Sequence, residues 1–161
     1  MQIREYTDTD WPSVWPIFRE VVAAGDTFAY DPGWSSEQAQ SVWAEAPPGR
    51  TVVACDGSRV LGTAKTGPNR PGPGSHVSTA SFMVAGDARS RGVGRALAEY
   101  ALSWAREQGY AAMQFNAVVE SNHVAVRLWQ ALGFHIIGTV PEAIEHPTLG
   151  RVGLHVMHRR L

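Results

Sequence analysis

The chain has 161 residues, of which 44 % are hydrophobic and 18 % charged, a composition that predicts one folded domain over residues 1–161. Its 14 basic and 15 acidic residues leave a net charge of −1, which argues against a nucleic-acid-binding surface. The single cysteine, Cys55, excludes an internal disulfide and a cysteine-only metal cluster.

Glycine and proline divide the first half of the chain into short elements. The first helix has apolar residues three and four positions apart, which places them on one buried face. Asp56-Gly57 between two apolar runs predicts a β-hairpin. In chain order we expect a strand at 2–6, a helix from Thr9 or Asp10 to Gly25, a loop at 25–34, a helix from Ser35 or Ser36 to about Ala46, strands at 50–55 and 59–66, and no regular structure at 67–75.

The second half alternates strands with helices that end at glycine. One of these helices should turn an apolar face inward, formed by Val124, Ala125, Leu128, Trp129 and Leu132. In chain order we expect a strand at 77–85, a helix ending at Gln108, a strand at 111–119, a helix from Ser121 or Asn122 to Gly133, and strands at 134–140 and 151–159. The order predicts an α/β fold with a mixed sheet: an antiparallel meander followed by a strand–helix–strand crossover.

The amino terminus and the lengths of the apolar runs indicate where in the cell the protein is expected. No apolar run approaches the roughly 20 residues of a membrane span. The opening sequence MQIREYTDTDWP lacks the apolar stretch of a secretory signal. We therefore expect a cytoplasmic protein with no membrane partner.

The most informative segment is FMVAGDARSRGVGRALAEY, where a strand leads through a glycine-rich turn into a helix. The first turn of a helix has free N–H groups and a positive dipole end, so it binds phosphate. Gly92 and Gly94 would let the backbone approach an anion, and Arg89, Arg91 and Arg95 add positive charge. The alternative interpretation of the same residues is an ordinary strand-to-helix turn whose arginines are solvated. A P-loop is excluded, because no Lys-Ser/Thr follows.

The segment RSRGVG at 89–94 matches the Arg/Gln-x-x-Gly-x-Gly/Ala signature of the GNAT superfamily, the acetyl-CoA-dependent N-acetyltransferases, which the chain resembles. Downstream, SNHVAVRLWQALGF is similar to the family's second signature, Asn-x-x-Ala-x-x-Leu-Tyr-x-x-x-Gly-Phe. The matching residues there are Asn122, Ala125, Leu128, Gly133 and Phe134. The resemblance extends over essentially the full chain.

This resemblance implies a mostly antiparallel mixed sheet, with helices on both faces, that splays open at an acetyl-CoA cleft between the 77–85 and 111–118 strands. Main-chain groups of the first strand would bind the pantetheine arm, and amides of the turn would bind the pyrophosphate. Asn122 would reach the pantetheine, serve as a plain helix cap, or do both. The implied binding residues are Phe82, Met83, Val84, Arg89, Arg91, Gly92, Val93, Gly94, Arg95 and Asn122.

One departure from the family concerns the leaving group. The second signature usually carries a tyrosine that can protonate the departing thiolate, and Trp129 stands at that position. An indole N–H does not release its proton at neutral pH. Either the thiolate leaves without a side-chain acid, or water or Ser121 serves. A thiol of pKa about 8.5 is a tolerable leaving group.

Within the superfamily, the segments AMQFNAVVESN, LWQALGF, IGTVPEA and HPTLGRVGLHVM, between 112 and 157, resemble the enzymes that acetylate azetidine-2-carboxylate and other proline analogues, and more distantly the phosphinothricin acetyltransferases. In the first group the asparagine matched by Asn116 helps to hold the substrate. Gln114 and Asn116 fall on one face of an otherwise apolar strand. They are either substrate ligands or an internally satisfied pair.

A second departure concerns the base. At the position of Thr79, phosphinothricin-type enzymes carry a glutamate and the proline-analogue group commonly an asparagine, and threonine is not a useful base. The amine would then lose its proton to ordered water, and His76 is a candidate to assist this step, although it is equally explained as an exposed loop histidine. Thr27, Phe28 and Tyr30 are candidate walls of the acceptor pocket, although the aromatic rings there could equally serve packing.

The resemblance implies direct transfer of acetyl from acetyl-CoA to the amine of a small amino-acid-like molecule. Two rival interpretations are an acetyltransferase for protein or peptide amines and a non-catalytic acyl-CoA-binding protein. No metal site is expected, since His155 and His158 lie three apart on a predicted strand and so face opposite sides. The sequence leaves open whether the protein forms a homodimer.

Overall fold

Seven strands and four helices make up the computed structural model, which describes residues 1–161. The strands are β1 (Gln2–Glu5), β2 (Arg50–Asp56), β3 (Arg59–Pro68), β4 (Val77–Val84), β5 (Ala112–Val119), β6 (His135–His146) and β7 (Gly150–Arg160). The helices are α1 (Trp11–Ala24), α2 (Ser36–Trp43), α3 (Val93–Glu107) and α4 (His123–Ala131).

The strands form one sheet in the order β1-β2-β3-β4-β5-β7-β6. Every neighbouring pair is antiparallel except β4 and β5, which are parallel and are connected through α3. A parallel neighbour needs a crossover connection, and α3 supplies it. The predicted mixed, mostly antiparallel sheet is therefore confirmed.

The helices cover both faces of this sheet, as predicted. On one face, α1 and α2 bury an apolar cluster against β2, β3 and β4 that includes Phe18, Trp43 and Met83. On the other face, α3 packs on β2 and β3 through Val93 and Leu97, and α3 and α4 pack on β5. Each helix thus buries one stripe of apolar side chains, which is the usual source of helix stability in a folded protein.

Glycines end the helices where the periodicity places them. Gly25 follows α1 with φ +66°, Gly109 follows α3 with φ +80°, and Gly133 follows α4 with φ +84°. These left-handed conformations cost glycine little, because it has no Cβ atom. No helix is both long enough and apolar enough to cross a membrane.

The structure corrects three details of the expected elements. Helix α2 ends at Trp43 and not near Ala46, because the backbone of Ala44 is already extended. Val124 does not face inward: its side chain lies in the first turn of α4 and is 72 % exposed. The last two strands extend beyond the expected 134–140 and 151–159, because their pairing continues through irregularities in β6 to a turn near residue 148.

An ion pair between the exposed Arg4 and the buried carboxylate of Asp10 joins β1 to the start of α1. Both oxygens of the Asp10 carboxylate accept hydrogen bonds from the Arg4 guanidinium, at 2.6 and 2.8 Å, and Thr7 N also donates to it at 2.9 Å. The hydrogen bonds from Arg4 lower the pKa of Asp10 to about 2. Asp10 therefore stays charged in the folded protein at pH values where an ordinary aspartate becomes protonated.

We expect Asp10→Asn to lower the free energy of unfolding at pH 7 by about 1 kcal/mol, because a neutral amide replaces the charged partner of Arg4. A carboxyl with a lowered folded-state pKa stabilises the fold above its unfolded pKa of about 3.9 and loses this effect as the pH falls towards 2. Urea titrations at pH 7, 4 and 2 should therefore show the two proteins converging in acid. Asp8→Asn, at a neighbouring exposed carboxylate, is the control, and a constant difference across the three pH values would contradict this account.

Candidate active site

The parallel strands β4 and β5 pair only at their first residues. Val77 lies opposite Ala112 and Ser78 opposite Met113, and no further pair follows although both strands continue for six more residues. The strands therefore diverge from a closed end at Ser78 and Met113 into an open gap. This is the cleft that the sequence led us to expect between these two strands.

Main-chain groups of β4 line one side of the gap. The β3–β4 ladder includes the bonds from Asn69 N to Val77 O, 2.7 Å, and from Ala85 N to Leu61 O, 2.9 Å. Because hydrogen bonding alternates along an antiparallel ladder, odd-numbered residues of β4 bond to β3 and even-numbered residues point away. The peptide groups of Phe82 and Val84 thus point towards the gap, whereas those of Met83 bond to β3.

An aromatic cluster closes the gap on the α3 and α4 side. The Trp129 ring centroid lies 5.0 Å from that of Phe82 on β4 and 4.8 Å from that of Phe115 on β5. Phe115 in turn stacks on Phe134 at 4.3 Å. Trp129 is 8 % exposed and bridges the two diverging strands by packing. Its position accounts for a large apolar residue where the family signature has tyrosine.

The turn after β4 presents a set of free amides. A short 3₁₀ turn, Gly86–Ala88, is followed by Ser90 with φ +61° and by Gly92 with φ +79°, the residue that precedes α3. The backbone N–H groups of residues 90–95 donate no hydrogen bond within the chain. Free amides at the positive end of a helix dipole form an anion-binding site.

The two glycines of this turn have different physical roles. Gly92 adopts a left-handed conformation that favours glycine, although a Cβ atom there would meet nothing within 4 Å. A Cβ atom on Gly94 would lie 3.8 Å from Val84 Cγ2 and 3.9 Å from Leu128 Cδ2. Gly94 thus faces the mouth of the gap between β4 and α4, where any side chain would occupy the entrance.

Three arginines surround the turn, each about half exposed. Arg89 lies 3.9 Å from Glu20, Arg91 3.7 Å from Asp56, and Arg95 3.5 Å from Glu99.

Exposed ion pairs at such distances contribute little to stability, so these arginines remain able to turn towards a bound anion. The positive charge is local, in keeping with a net charge of −1 for the chain.

Asn122 caps α4, as one of its two interpretations predicted. Its Oδ1 accepts a hydrogen bond from Ala125 N at 3.2 Å, and its Nδ2 donates to no group of the chain. The hydroxyl of the preceding residue, Ser121, is buried and has no hydrogen-bond partner. The β5–α4 turn therefore carries two free polar groups, the amide N–H₂ of Asn122 and the hydroxyl of Ser121.

On the opposite face of the sheet, three amides form a chain. Gln114 Nε2 donates to Asn116 Oδ1 at 2.9 Å, and Asn116 Nδ2 donates to Asn69 Oδ1 at 2.6 Å. Gln114 and Asn116 thus form the internal pair that one interpretation predicted, yet they remain partly or fully exposed. Sequence reasoning did not identify Asn69, because nothing in a proline- and glycine-rich segment indicates a contact 47 residues away.

Thr79 and Gln114 are the next residues after the last β4–β5 pair, so Thr79 stands at the closed end of the gap on the face of the amide chain. Its carbonyl accepts a hydrogen bond from Thr66 Oγ1 at 2.9 Å. Across β5, His158 on β7 lies directly opposite Gln114 in the register and shares its face. The periodicity had suggested only that His158 and His155 face opposite sides.

His76 is exposed, and the expectation that it assists a proton transfer stays a prediction. It precedes β4 at the closed end, where its carbonyl accepts from Ala111 N and its Nδ1 lies 3.1 Å from Pro73 O. Its exposed ring lines an open depression of about 300 Å³ beside Gln108 and Tyr110, at the end of α3. The interpretation as an exposed histidine holds.

The aromatic residues of the 25–34 loop pack on the helices beneath. The Tyr30 ring stacks on Phe28 at 5.2 Å and on Phe18 at 5.6 Å, and burial raises the pKa of the Tyr30 hydroxyl. Thr27 Oγ1 donates to Asp26. Both rings pack on their neighbours but keep part of their surface exposed. They therefore remain candidates for the wall of a pocket.

The β6–β7 turn reaches the same loop. Pro147 Cγ lies 3.2 Å from the position of a Cβ atom on Gly25, where α1 ends and the loop begins. The β6–β7 turn therefore lies against the start of the 25–34 loop. No group of three or more His, Cys, Asp or Glu side chains is arranged to hold a metal ion.

Comparison with known proteins gives a consistent result. Residues 5–134 match the model of the "Acetyltransferase (GNAT) family". A GCN5-related N-acetyltransferase from Kribbella flavida has 60 % sequence identity and a TM-score of 0.97, covering 99 % of this chain and 97 % of that one. A phosphinothricin acetyltransferase from Sinorhizobium meliloti, solved in complex with AcCoA, has the same fold with 22 % identity and a TM-score of 0.88, covering 99 % and 88 %.

Among characterised sequences, the N-acetyltransferase aca1 of Schizosaccharomyces pombe is 37 % identical over 84 residues. The match covers 52 % of this chain and 40 % of aca1, so the chain spans less than half the length of this relative. The likeness therefore concerns a shared segment and does not extend to the whole of that protein.

We expect Asn122→Ala to lower the free energy of unfolding by about 1 kcal/mol, because Ala125 N loses its capping acceptor. Asn122→Asp should keep the wild-type stability, since a carboxylate accepts the same bond and favours the positive end of the helix dipole. Thermal and urea unfolding of both variants test this. Equal losses in the two variants would show that the cap is not what Asn122 contributes to stability.

Proposed function

The chain belongs to the acetyltransferase (GNAT) family and is an acetyl-CoA-dependent N-acetyltransferase, and we propose that its acceptor is the amine of a small amino-acid-like molecule. The observation that carries the acceptor class is the exposed amide chain of Gln114, Asn116 and Asn69 beside the closed end of the gap. Azetidine-2-carboxylate and related proline analogues are the first acceptors to consider, followed by phosphinothricin.

The described residues fit acetyl-CoA. The free amides of residues 90–95 would hold the pyrophosphate, with Arg89, Arg91 and Arg95 adding charge. The peptide groups of Phe82 and Val84, left unpaired by β3, would hydrogen-bond the pantetheine as a neighbouring strand does. Bound there, acetyl-CoA supplies a thioester carbonyl for attack and a thiol as the leaving group.

At the closed end of the gap, main-chain N–H groups can stabilise the transition state electrostatically, but few side chains can act as a general acid or base. An N–H group of β4 aimed at the developing oxyanion would stabilise it in a water-poor site. Thr79 cannot serve as a base, so the attacking amine loses its proton to water. His158, opposite Gln114, and His135, opposite His158, lie on that face of the sheet.

The leaving thiolate does not depend on a side-chain acid in this proposal. The indole N–H of Trp129 stays protonated at neutral pH, and a thiol of pKa about 8.5 is an adequate leaving group. The unpartnered hydroxyl of Ser121 is the chain's own candidate donor.

The acceptor class is tested by measuring CoA release with a panel of amines, corrected for acetyl-CoA hydrolysis. We expect turnover with azetidine-2-carboxylate, other proline analogues or phosphinothricin, and much less with peptides. Turnover with peptide amines alone would assign the chain to the class that acetylates protein or peptide amines.

We expect Gly94→Val to weaken acetyl-CoA binding at least tenfold, because the new side chain would occupy the mouth of the gap between Val84 and Leu128. Titration calorimetry and the acetyl-CoA-induced rise in Tm measure the effect, since a ligand that binds only the folded state stabilises it. Gly138→Val on β6, where a Cβ atom meets nothing within 4 Å, is the matched control. A wild-type Kd in the Gly94 variant would refute the placement of the donor site.

We expect Trp129→Phe to leave the shape of the pH–rate profile unchanged, because the indole packs against Phe82 and Phe115 and transfers no proton. The rate itself should fall a few-fold as the packing loosens. Measuring kcat between pH 6 and 10 checks this, and the disappearance of a high-pH limb in the variant would show that Trp129 takes part in proton transfer.

A further inference from the structure

The two hydrogen bonds of the amide chain run in the same direction, from Gln114 to Asn116 and from Asn116 to Asn69. Each primary amide offers an N–H₂ donor and a carbonyl acceptor. Gln114 uses its Nε2 and Asn116 uses both its Oδ1 and its Nδ2, so that Asn69 receives the last bond on its Oδ1. One end of the chain is therefore a free donor, Asn69 Nδ2, and the other a free acceptor, Gln114 Oε1.

The presence of one donor end and one acceptor end does not depend on how the amides are oriented, whereas the orientation that the structure shows makes Asn69 the donor end. If all three amides were turned over, every bond in the chain would reverse and the two ends would exchange character. One end would still be a donor and the other an acceptor. The chain therefore complements a ligand that presents both an anionic or carbonyl oxygen and an N–H group.

The backbone places this chain at the closed end of the gap. Asn69 N donates to Val77 O at 2.7 Å, which holds Asn69 as a continuation of β3. Its side chain passes over β4 to Asn116 on β5, on the face that also carries Thr79. Asn116, the middle residue of the amide chain, lies at an irregularity of β5, where the register with β7 shifts between Phe115 and Val118.

We propose that Asn69 is a specificity-determining residue that binds the carboxylate of the acceptor, while Gln114 accepts from its amine and Asn116 is a positioning residue that holds both. The inference rests on the proposed function and narrows it to free amino acids with an unblocked carboxylate. Asn116 already bonds one neighbour through each of its two functional atoms. We therefore assign the contacts with the acceptor to the two ends of the chain. An amine that lacks a carboxylate would leave the Asn69 end without a partner.

The test compares azetidine-2-carboxylate with azetidine, the same ring amine without the carboxylate. We expect Asn69→Ala to raise the KM for azetidine-2-carboxylate at least tenfold, with kcat, the KM for acetyl-CoA and the kcat/KM for azetidine nearly unchanged. Asn69→Asp should raise it further, because a carboxylate then faces the carboxylate of the acceptor. Arg70→Ala is the control in the same loop, since its side chain donates only to the carbonyl of Asn69.

The outcomes distinguish a failure of the role assigned to Asn69 from a failure of the proposed acceptor class. Equal losses on both amines in Asn69→Ala, or equal losses in Arg70→Ala, would make Asn69 a structural residue and overturn this inference alone. Thermal unfolding of each variant identifies a loss that comes from poor folding, and binding of azetidine-2-carboxylate by calorimetry in the presence of CoA replaces turnover where a variant is inactive. If the wild-type protein neither binds nor acetylates any free amino acid, the proposed acceptor class and this inference both fail.

Discussion

The short parallel pairing of β4 and β5 is the constraint on which the rest of the structure depends. Two residue pairs hold the strands together, and beyond Ser78 and Met113 the main chain of each strand is left without a strand partner on that side. A sheet that opens in its middle would be weak unless other contacts joined its halves. On one face Trp129 joins them by packing against Phe82 and Phe115, and on the other Asn69 and Asn116 join them by a hydrogen bond.

The same opening separates two kinds of recognition. Towards α3 the gap offers main-chain groups, those of Phe82 and Val84 and the amides of residues 90–95. On the opposite face it offers side chains, chiefly the three amides and the loop that carries Phe28 and Tyr30. A thioester that enters through the gap and an amine that approaches from the other face would meet at its closed end, which is what direct transfer without a covalent enzyme intermediate requires.

Much of this architecture follows from local sequence signals. The helices and their ends come from apolar spacing and from glycines such as Gly25 and Gly133, whose positive φ angles the structure confirms. Asp56-Gly57 does connect two antiparallel strands. The turn at 89–95 was predictable as a strand-to-helix connection with free backbone amides, because its glycine spacing reflects the conformation that the backbone needs there. Local signals failed where long-range packing decides, as for Val124, whose spacing fits the buried stripe although its place in the first turn of α4 leaves it exposed.

The acceptor side was harder to predict for a physical reason. Gln114 and Asn116 could be found because strand periodicity places them on one face, but their partner Asn69 lies 47 residues from Asn116 in a segment without periodicity. His76 and His158 show the same limit, since the first lies in a loop whose direction the sequence does not specify and the second comes next to Gln114 only through sheet pairing.

The use of main-chain groups on one side of the gap and side chains on the other has a consequence for how such a protein changes over generations. Peptide groups persist through most substitutions, so the donor side tolerates replacements as long as Gly92 and Gly94 are kept. The amide chain, by contrast, consists of side chains, so a substitution there alters the face of the proposed acceptor site and the bond between Asn69 and Asn116 but leaves the main-chain pairing in place. In the proposed function, the choice of acceptor therefore changes through side chains on one face of the sheet, while the main-chain groups of the donor side stay the same.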